Sequence, residues 1–260
     1  TQDQLPDPLI EAKQGTGSAP AYRGTAYAVF DRFPLENFGN RIPQFSFEVL
    51  RPVNSLNAKI KAVTIIPGST EYGYAPLPVT RQVQEGETVS QNRHVQHGAT
   101  DWAASIDELQ ALCPNLESVA LVVTWYGNDL RCGECSIKPG VTTRDEAGLS
   151  KEWRVSDSTR ADAHLLSVFQ GGPSFGGTPD DQSVIDAIRD LTARGLKVTL
   201  YPFVMMDIPA GNALPNPYGG TGQAAYPWRG EITCHPAAGI SGSVDKTAAA
   251  ATQVDAFFGN

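Results

Sequence analysis

A helix that leads directly into a buried strand is the feature that most constrains how this chain can fold. Residues 183–207 read SVIDAIRDLTARGLKVTLYPFVMMD. Apolar residues in the first half recur at helical spacing, and Arg194-Gly195 supplies a cation and a C′ glycine that end the helix. Residues 198–206 are almost continuously apolar, as in a strand that is covered on both faces. The segment therefore predicts one unit of an α/β fold.

Other parts of the sequence repeat this pattern. Parallel strands joined by helical crossovers define the α/β class, and no GxGxxG or P-loop favours a nucleotide-binding open sheet. Because a (β/α)8 TIM barrel needs eight strands, we expect residues 58–260 to form about the first half of a TIM-barrel-like domain. Buried strands are predicted over 60–67, 116–125, 163–169 and 197–206, and helices over 100–112, 178–194 and 245–258.

The first 57 residues have a different character. Residues 26–30 and 44–49 alternate between apolar and polar side chains, which predicts the two strands of a β-hairpin. Two strands with aromatic faces are not stable alone, so we expect this hairpin to complete a sheet formed elsewhere. Residues 1–57 are therefore predicted to be the β-rich end of another domain and a linker.

Charge and hydropathy exclude two classes of partner. The 260-residue chain has a formal net charge of −8 and no run of Lys or Arg, which argues against a nucleic-acid surface. No apolar stretch reaches the length of a membrane span, so we expect no transmembrane segment. No cofactor motif is present, and none is predicted.

Acidic residues stand where predicted strands end. Glu71 follows the first strand and Asp207 ends the fourth. Barrel enzymes place their chemistry at these strand ends, and a glycosidase needs two carboxyl groups on either side of the scissile bond. Asp207 and Glu71 are therefore the candidate catalytic residues. The alternative, that either carboxylate only anchors a loop, stays open.

Aromatic and polar residues near the same strand ends could bind a sugar. Aromatic rings would stack on it, and Arg229 could bind an anionic group or have a structural role. The candidate substrate-binding residues are Trp125, Tyr126, Asp129, Tyr201, Trp228 and Arg229.

Four residues offer the ligand types that zinc prefers. Cys132 and Cys135 form a CxxC pair, and Cys234 is followed by His235. Adjacent Cys and His side chains are poorly arranged to bind one metal, so we predict no metal site. A disulfide that staples loops, or free thiols, is the favoured interpretation.

Several long motifs resemble one family. The block PAYRGTAYAVFDRFPLENFGNRIPQFSFEV resembles the segment that closes the first baseplate domain of siphophage-type tail hub proteins. The rest, from residue 60 onward, is similar to the glycoside-hydrolase-like TIM barrel inserted in the tail hub protein of gene transfer agents and related phages. The matching motifs are TIIPGSTEY, Asp101-Trp102, VVTWYGNDLRCGECSIKPGV, FGGTPDDQSVIDAIRDLTARGLKVTLYPFVMMDIPAGN, AAYPWRGEITCHPAAG and DKTAAAATQVDAFFG.

The resemblance implies a context and a set of partners. It implies a virion protein of the tail baseplate, made in the bacterial cytoplasm, that contacts other tail and baseplate proteins and forms a homotrimer around the tail axis. It also implies a barrel that meets cell-surface glycan, with Asp207 and the 125–129 loop at its mouth. In the family, the glutamate most like a glycosidase acid would follow residue 260, so a complete catalytic pair is not carried over.

Three functions therefore compete. The first is a structural component of a phage-like tail baseplate hub whose barrel contacts the host envelope. The second is an active glycoside hydrolase that degrades envelope polysaccharide or peptidoglycan. The third is a non-catalytic barrel that binds glycan through aromatic and polar side chains.

Overall fold

A computed structural model describes residues 4–39, 41–47, 49, 56–66 and 71–259. The chain divides into two compact units, Thr1–Val49 and Leu50–Asn260. Most of the predicted linker, residues 51–55, lies outside the described residues.

The described residues contain four α-helices and twelve strands, most of the strands short. The helices are α1 (Pro8–Gln14), α2 (Asp101–Leu112), α3 (Asp181–Ala193) and α4 (Ala248–Phe258). The strands are β1 (Ala62–Ile65), β2 (Thr80–Gln84), β3 (Glu87–Ser90), β4 (Ser118–Gly127), β5 (Ile137–Lys138), β6 (Gly140–Val141), β7 (Arg154–Val155), β8 (Ser158–Thr159), β9 (His164–Leu165), β10 (Val168–Phe169), β11 (Gly172–Pro173) and β12 (Lys197–Met206).

The main sheet of the second unit has three parallel strands in the order β1-β4-β12, and β5 is added antiparallel to the end of β4. β12 pairs with β4 over ten residues, and β1 pairs with β4 over four. Helix α2 connects β1 to β4, and α3 precedes β12, as expected for βαβ units. The mixed α/β class thus agrees with the sequence, while closure into a barrel stays a prediction.

One predicted strand does not join this sheet. Residues 163–169 contain the two-residue strands β9 and β10, which pair with β6 and β11 respectively. The place beside β4 is taken by β12, which pairs with β4 over ten residues. The prediction that this strand is covered on both faces is wrong, because only Met206 of its ten residues is buried. Residues 128–180 are therefore a long excursion made of small ladders, and the sheet has three parallel strands where four were predicted.

The core of the second unit lies between the sheet and helices α2 and α3. Leu121 and Val119 of β4 meet Ile106 of α2 and Leu191 of α3 in one fully buried cluster. Asp180 caps α3 by accepting a hydrogen bond from the Ser183 amide at 3.1 Å. The helix therefore begins at Asp181, three residues after the predicted start at residue 178.

The first unit has little regular structure in its described residues. Residues 26–30 and 44–47, predicted as hairpin strands, contain no strand here. Their aromatic side chains nevertheless meet, because Phe30 stacks on Phe45 with ring centroids 4.4 Å apart. Ring packing therefore joins the two segments where backbone pairing was expected.

Among the described residues, no helix combines the length and the apolar character needed to cross a bilayer.

Candidate functional site

The carboxylate of Asp207 lies at the end of β12 and is fully engaged. Its side chain is 1% exposed. It accepts hydrogen bonds from His164 Nε2 at 2.7 Å, from the Ser167 amide at 2.8 Å and from Ser167 Oγ at 2.6 Å. Ser174 Oγ adds a fourth at 2.9 Å. Asp207 thereby fastens the 163–175 segment over the end of the sheet.

These hydrogen bonds decide the charge of Asp207. Burial alone would raise the pKa of this carboxyl, but the donors from His164, Ser167 and Ser174 outweigh it and lower the pKa below its ordinary value. Asp207 is therefore ionised at neutral pH. An ionised carboxylate with four donors has no proton to give to a leaving group.

Glu71 is the second candidate carboxylate, and it forms an internal ion pair. Its Oε2 lies 2.6 Å from Arg160 Nη2, and both side chains are at most 3% exposed. The amide and hydroxyl of Thr142 donate to its Oε1 at 2.7 and 3.1 Å. Gly177 is packed against the pair, since a Cβ there would lie 2.2 Å from Glu71 Cγ. The pair leaves no room for a substrate at this carboxylate.

Tyr126 lies near both carboxylates. Its hydroxyl donates to the carbonyl of Gly176. Burial raises the pKa of Tyr126, and the charges of Asp207 and Glu71 raise it further. Among the hydrogen bonds of the described residues, none joins Glu71 to Asp207, so they do not form an acid–base pair in contact with each other.

Asp129 also serves as an anchor. It accepts hydrogen bonds from the amide and the guanidinium of Arg131, and from Gln223 Nε2 at 2.8 Å. Burial would raise the pKa of Asp129, but Arg131 and Gln223 lower it overall. The same Gln223 side chain accepts from the Leu130 amide at 2.8 Å, which ties the end of β4 to the segment after β12.

The face of the sheet opposite the helices forms an aromatic cleft of about 370 Å³. Tyr201 is 40% exposed and Trp228 is 70% exposed. The guanidinium carbon of Arg229 lies 4.2 Å from the centre of the Phe203 ring. The cleft thus brings together the predicted residues Tyr126, Tyr201 and Trp228 and places Arg229 beside them. Its lining residues are Thr64, Ile66, Val122, Thr124, Tyr126, Phe175, Gly176, Gly177, Tyr201, Phe203, Met205 and Trp228.

Trp125 does not belong to this cleft. Successive residues of a strand point to opposite faces, so Trp125 and its neighbour Tyr126 diverge. Trp125 packs instead against the buried cluster that contains Val141 and Trp153. The strict alternation of β4 was sufficient to predict this separation. The same rule places Phe203 beside Tyr201, and sequence reasoning did not select Phe203.

His164 is a further residue that sequence reasoning missed. Its ring stacks on Tyr126 with centroids 6.4 Å apart, and it lines a polar pocket of about 380 Å³ together with Lys138 and Arg144. Its partner Asp207 is 43 residues away in sequence, so no local spacing marks the pair.

The four residues that offer zinc-type ligands are only partly brought together. Cys132 and Cys234 are neighbours, with their sulfurs 3.6 Å apart. Cys135 instead packs with Leu130 and Met206. In the part of the chain that the structure describes, no group of three or more His, Cys, Asp or Glu side chains is arranged to hold a metal.

No family model matches the chain, and no curated protein is significantly similar to it in sequence.

Proposed function

We propose that this chain is a segment of a phage-like tail baseplate hub whose α/β unit binds envelope glycan without cleaving it. The hub context, with its tail and baseplate partners, trimeric assembly and place in the virion, rests on the sequence resemblance described above. Glycan binding rests on one observation, the open aromatic cleft on the uncovered face of the sheet.

The cleft has the chemistry that a sugar ring requires. A pyranose presents an apolar face of C–H groups and a rim of hydroxyls. Tyr201 and Trp228 offer exposed aromatic faces on which the C–H face of the sugar can stack. The Tyr201 hydroxyl and the Trp228 ring nitrogen can form hydrogen bonds with the sugar hydroxyls. Arg229 beside Phe203 adds a cationic group.

The state of the carboxylates favours binding over hydrolysis. Glu71 forms an ion pair with Arg160. Asp207 is ionised and accepts hydrogen bonds from four donors. Neither can act as a general acid without first breaking a buried network. The hydrolase alternative would therefore need an acid other than these two residues.

A binding measurement with a matched control tests the proposal. Purified peptidoglycan fragments and a panel of bacterial envelope polysaccharides are titrated against the protein by calorimetry. Trp228→Ala should weaken binding about tenfold, equivalent to roughly 1.4 kcal/mol. Tyr218→Ala removes an aromatic ring that is 52% exposed and does not line the cleft, and it should leave affinity unchanged.

Two results would reject the proposal. If Trp228→Ala and Tyr218→Ala change the affinity equally, the cleft is not the glycan-binding site. Release of new reducing ends that Asp207→Asn or Glu71→Gln abolishes would instead establish hydrolysis. In a particle, loss of adsorption with intact tails would support binding, whereas loss of the tails would support a purely structural role.

A further inference from the structure

Two cysteines far apart in sequence lie side by side in the second unit. Cys132 follows β4, and Cys234 is 102 positions later, yet their Sγ atoms are 3.6 Å apart. The CxxC partner of Cys132 is not involved, because Cys135 packs into a different apolar cluster. The spacing in the sequence therefore suggests one pairing, and the fold makes another.

The backbone holds this pair in place. Arg131 and Thr233 form a parallel β-bridge. The Cys132 amide donates to the Thr233 carbonyl at 2.8 Å, and the Thr233 amide donates to the Leu130 carbonyl at 2.9 Å. The two cysteines thus stand on adjacent hydrogen-bonded segments, and their proximity does not depend on a chance orientation of the side chains.

A side chain of α4 fixes the second cysteine from the other direction. Gln253 accepts a hydrogen bond from the His235 amide at 2.8 Å and donates to the His235 carbonyl at 2.7 Å. This clamps the residue that follows Cys234. The two sulfurs must close from 3.6 Å to about 2.05 Å for a bond to form.

The pair is also reachable by a small reagent. Cys132 and Cys234 line an apolar pocket of about 550 Å³ with Val254 and Phe257. Cys132 is only 6% exposed, and Cys234 is partly exposed. Burial, followed by the hydrogen bond with Cys234, raises the pKa of Cys132 to about 11. Cys234 is therefore the sulfur that a reagent meets first.

We propose that Cys132 and Cys234 form a disulfide when the protein meets an oxidising environment. The oxidant is a low-molecular-weight disulfide, such as oxidised glutathione. The Cys234 thiolate attacks it, forming a mixed disulfide and releasing one thiol. The Cys132 thiolate then attacks the Cys234 sulfur and expels the second thiol. Two protein thiols lose two electrons, and one small disulfide is reduced to two small thiols.

The bond would join the segment that follows β4 to the segment that carries Trp228 and Arg229. It depends on the cysteine geometry alone and not on the function proposed above. Zinc is the competing occupant, because two thiolates on a tetrahedral zinc with Zn–S bonds of about 2.3 Å lie at a similar separation. The described residues lack a third and a fourth ligand, which favours the disulfide.

Thiol counting on the full chain tests the proposal. The protein is incubated with oxidised glutathione or with dithiothreitol, denatured, and titrated for free thiols, and the linked peptides are identified by mass spectrometry. The four thiols of the reduced chain should fall to two, with Cys132 linked to Cys234. Oxidation should raise the melting temperature by roughly 5–10 °C.

The variants give opposite expectations. Cys135→Ser has three thiols and should fall to one on oxidation, with the same rise in melting temperature. Cys132→Ser also has three thiols. It should form no protein disulfide and show no such rise in melting temperature, because Cys234 can then be oxidised only to the mixed disulfide with glutathione. Because the wild-type peptide map needs no substitution, a variant that fails to fold does not weaken the test.

Three outcomes would overturn the proposal. The first is a link between Cys132 and Cys135. The second is retention of all four thiols after oxidation of the wild type. The third is one equivalent of zinc bound to the wild type, measured by elemental analysis after purification in zinc, and lost in Cys132→Ser.

Discussion

The two faces of the parallel sheet are built from alternate residues of the same strands, yet they differ sharply. On the helix-covered face, Leu121 is fully buried and packs into the cluster that contains Leu191. On the opposite face, Tyr201 remains 40% exposed beside Trp228. The helix-covered face carries the buried cluster, although Leu200 of β12 is 52% exposed there, and the opposite face carries the aromatic cleft. The difference shows that a single strand pattern can encode a core and a binding surface together.

The largest expected effect is on the loops above the open face, because the buried ion pair between Arg160 and Glu71 holds them together. Arg160→Met leaves the Glu71 carboxylate buried without its cation, which should lower the free energy of unfolding by about 4 kcal/mol. Arg154→Met breaks the exposed ion pair with Glu152 and should change the free energy of unfolding by less than about 0.5 kcal/mol. Denaturant unfolding measures both. Equal losses would show that the loops are not anchored by this pair.

A truncation on the covered face should be the next largest effect. Leu191→Ala opens a cavity in the fully buried cluster and should cost about 3 kcal/mol. Tyr201→Ala, on the open face, should cost less than about 1 kcal/mol because its side chain already contacts solvent. The same denaturant titration compares them. A larger loss for Tyr201→Ala would reverse the contrast between the faces.

The contribution of Asp207 to the free energy of unfolding should depend on pH. Its pKa is lower in the folded protein than in the unfolded chain, so its stabilisation is present above the ordinary pKa of about 3.9 and is lost as the pH falls through the folded value. Asp207→Asn should lower the free energy of unfolding at pH 7 by about 2 kcal/mol. Unfolding curves of the two proteins should converge in acid. A difference that is constant with pH would contradict this assignment.

The smallest expected change is on the open face itself. Trp228→Ala should alter the free energy of unfolding by no more than about 0.5 kcal/mol, since the side chain is 70% exposed. Its effect on glycan affinity should be larger than its effect on stability. A stability loss comparable to that of Leu191→Ala would mean that Trp228 supports the fold.

The sequence predicted those elements whose signals are local. The bounds of β12 follow from its apolar run, and α2 follows from its amphipathic pattern and the Thr100 cap. The start of α3 was harder, because Thr178 and Asp180 are both good cap residues. Thr178 is used elsewhere, since its hydroxyl donates to the Thr124 carbonyl at 2.7 Å. A tertiary contact therefore decided between two equivalent local signals.

The candidate site was less predictable, because its partners are distant. Asp207 directly follows β12, as the sequence predicts, and Glu71 lies six residues after the end of β1. Their partners Arg160 and His164 lie in the long excursion between β4 and α3, which has no periodicity. Their roles arise from contacts with residues 89 and 43 positions away. A local sequence pattern cannot distinguish a free carboxylate from one that is paired with a residue so far away in the sequence.

The amide of Gln223 has a consequence for how the cleft can diversify. It donates to Asp129 and accepts from the Leu130 amide, so this side chain attaches the segment leading to Trp228 to the end of β4. Tyr226 holds the same segment a second time, because its amide donates to the Ile208 carbonyl at 2.9 Å. The floor of the cleft is set separately, by the register of β12 on β4. The exposed residues Ala224 and Ala225 can therefore change in composition while the floor is preserved. New ligand preferences can arise there without refolding the sheet.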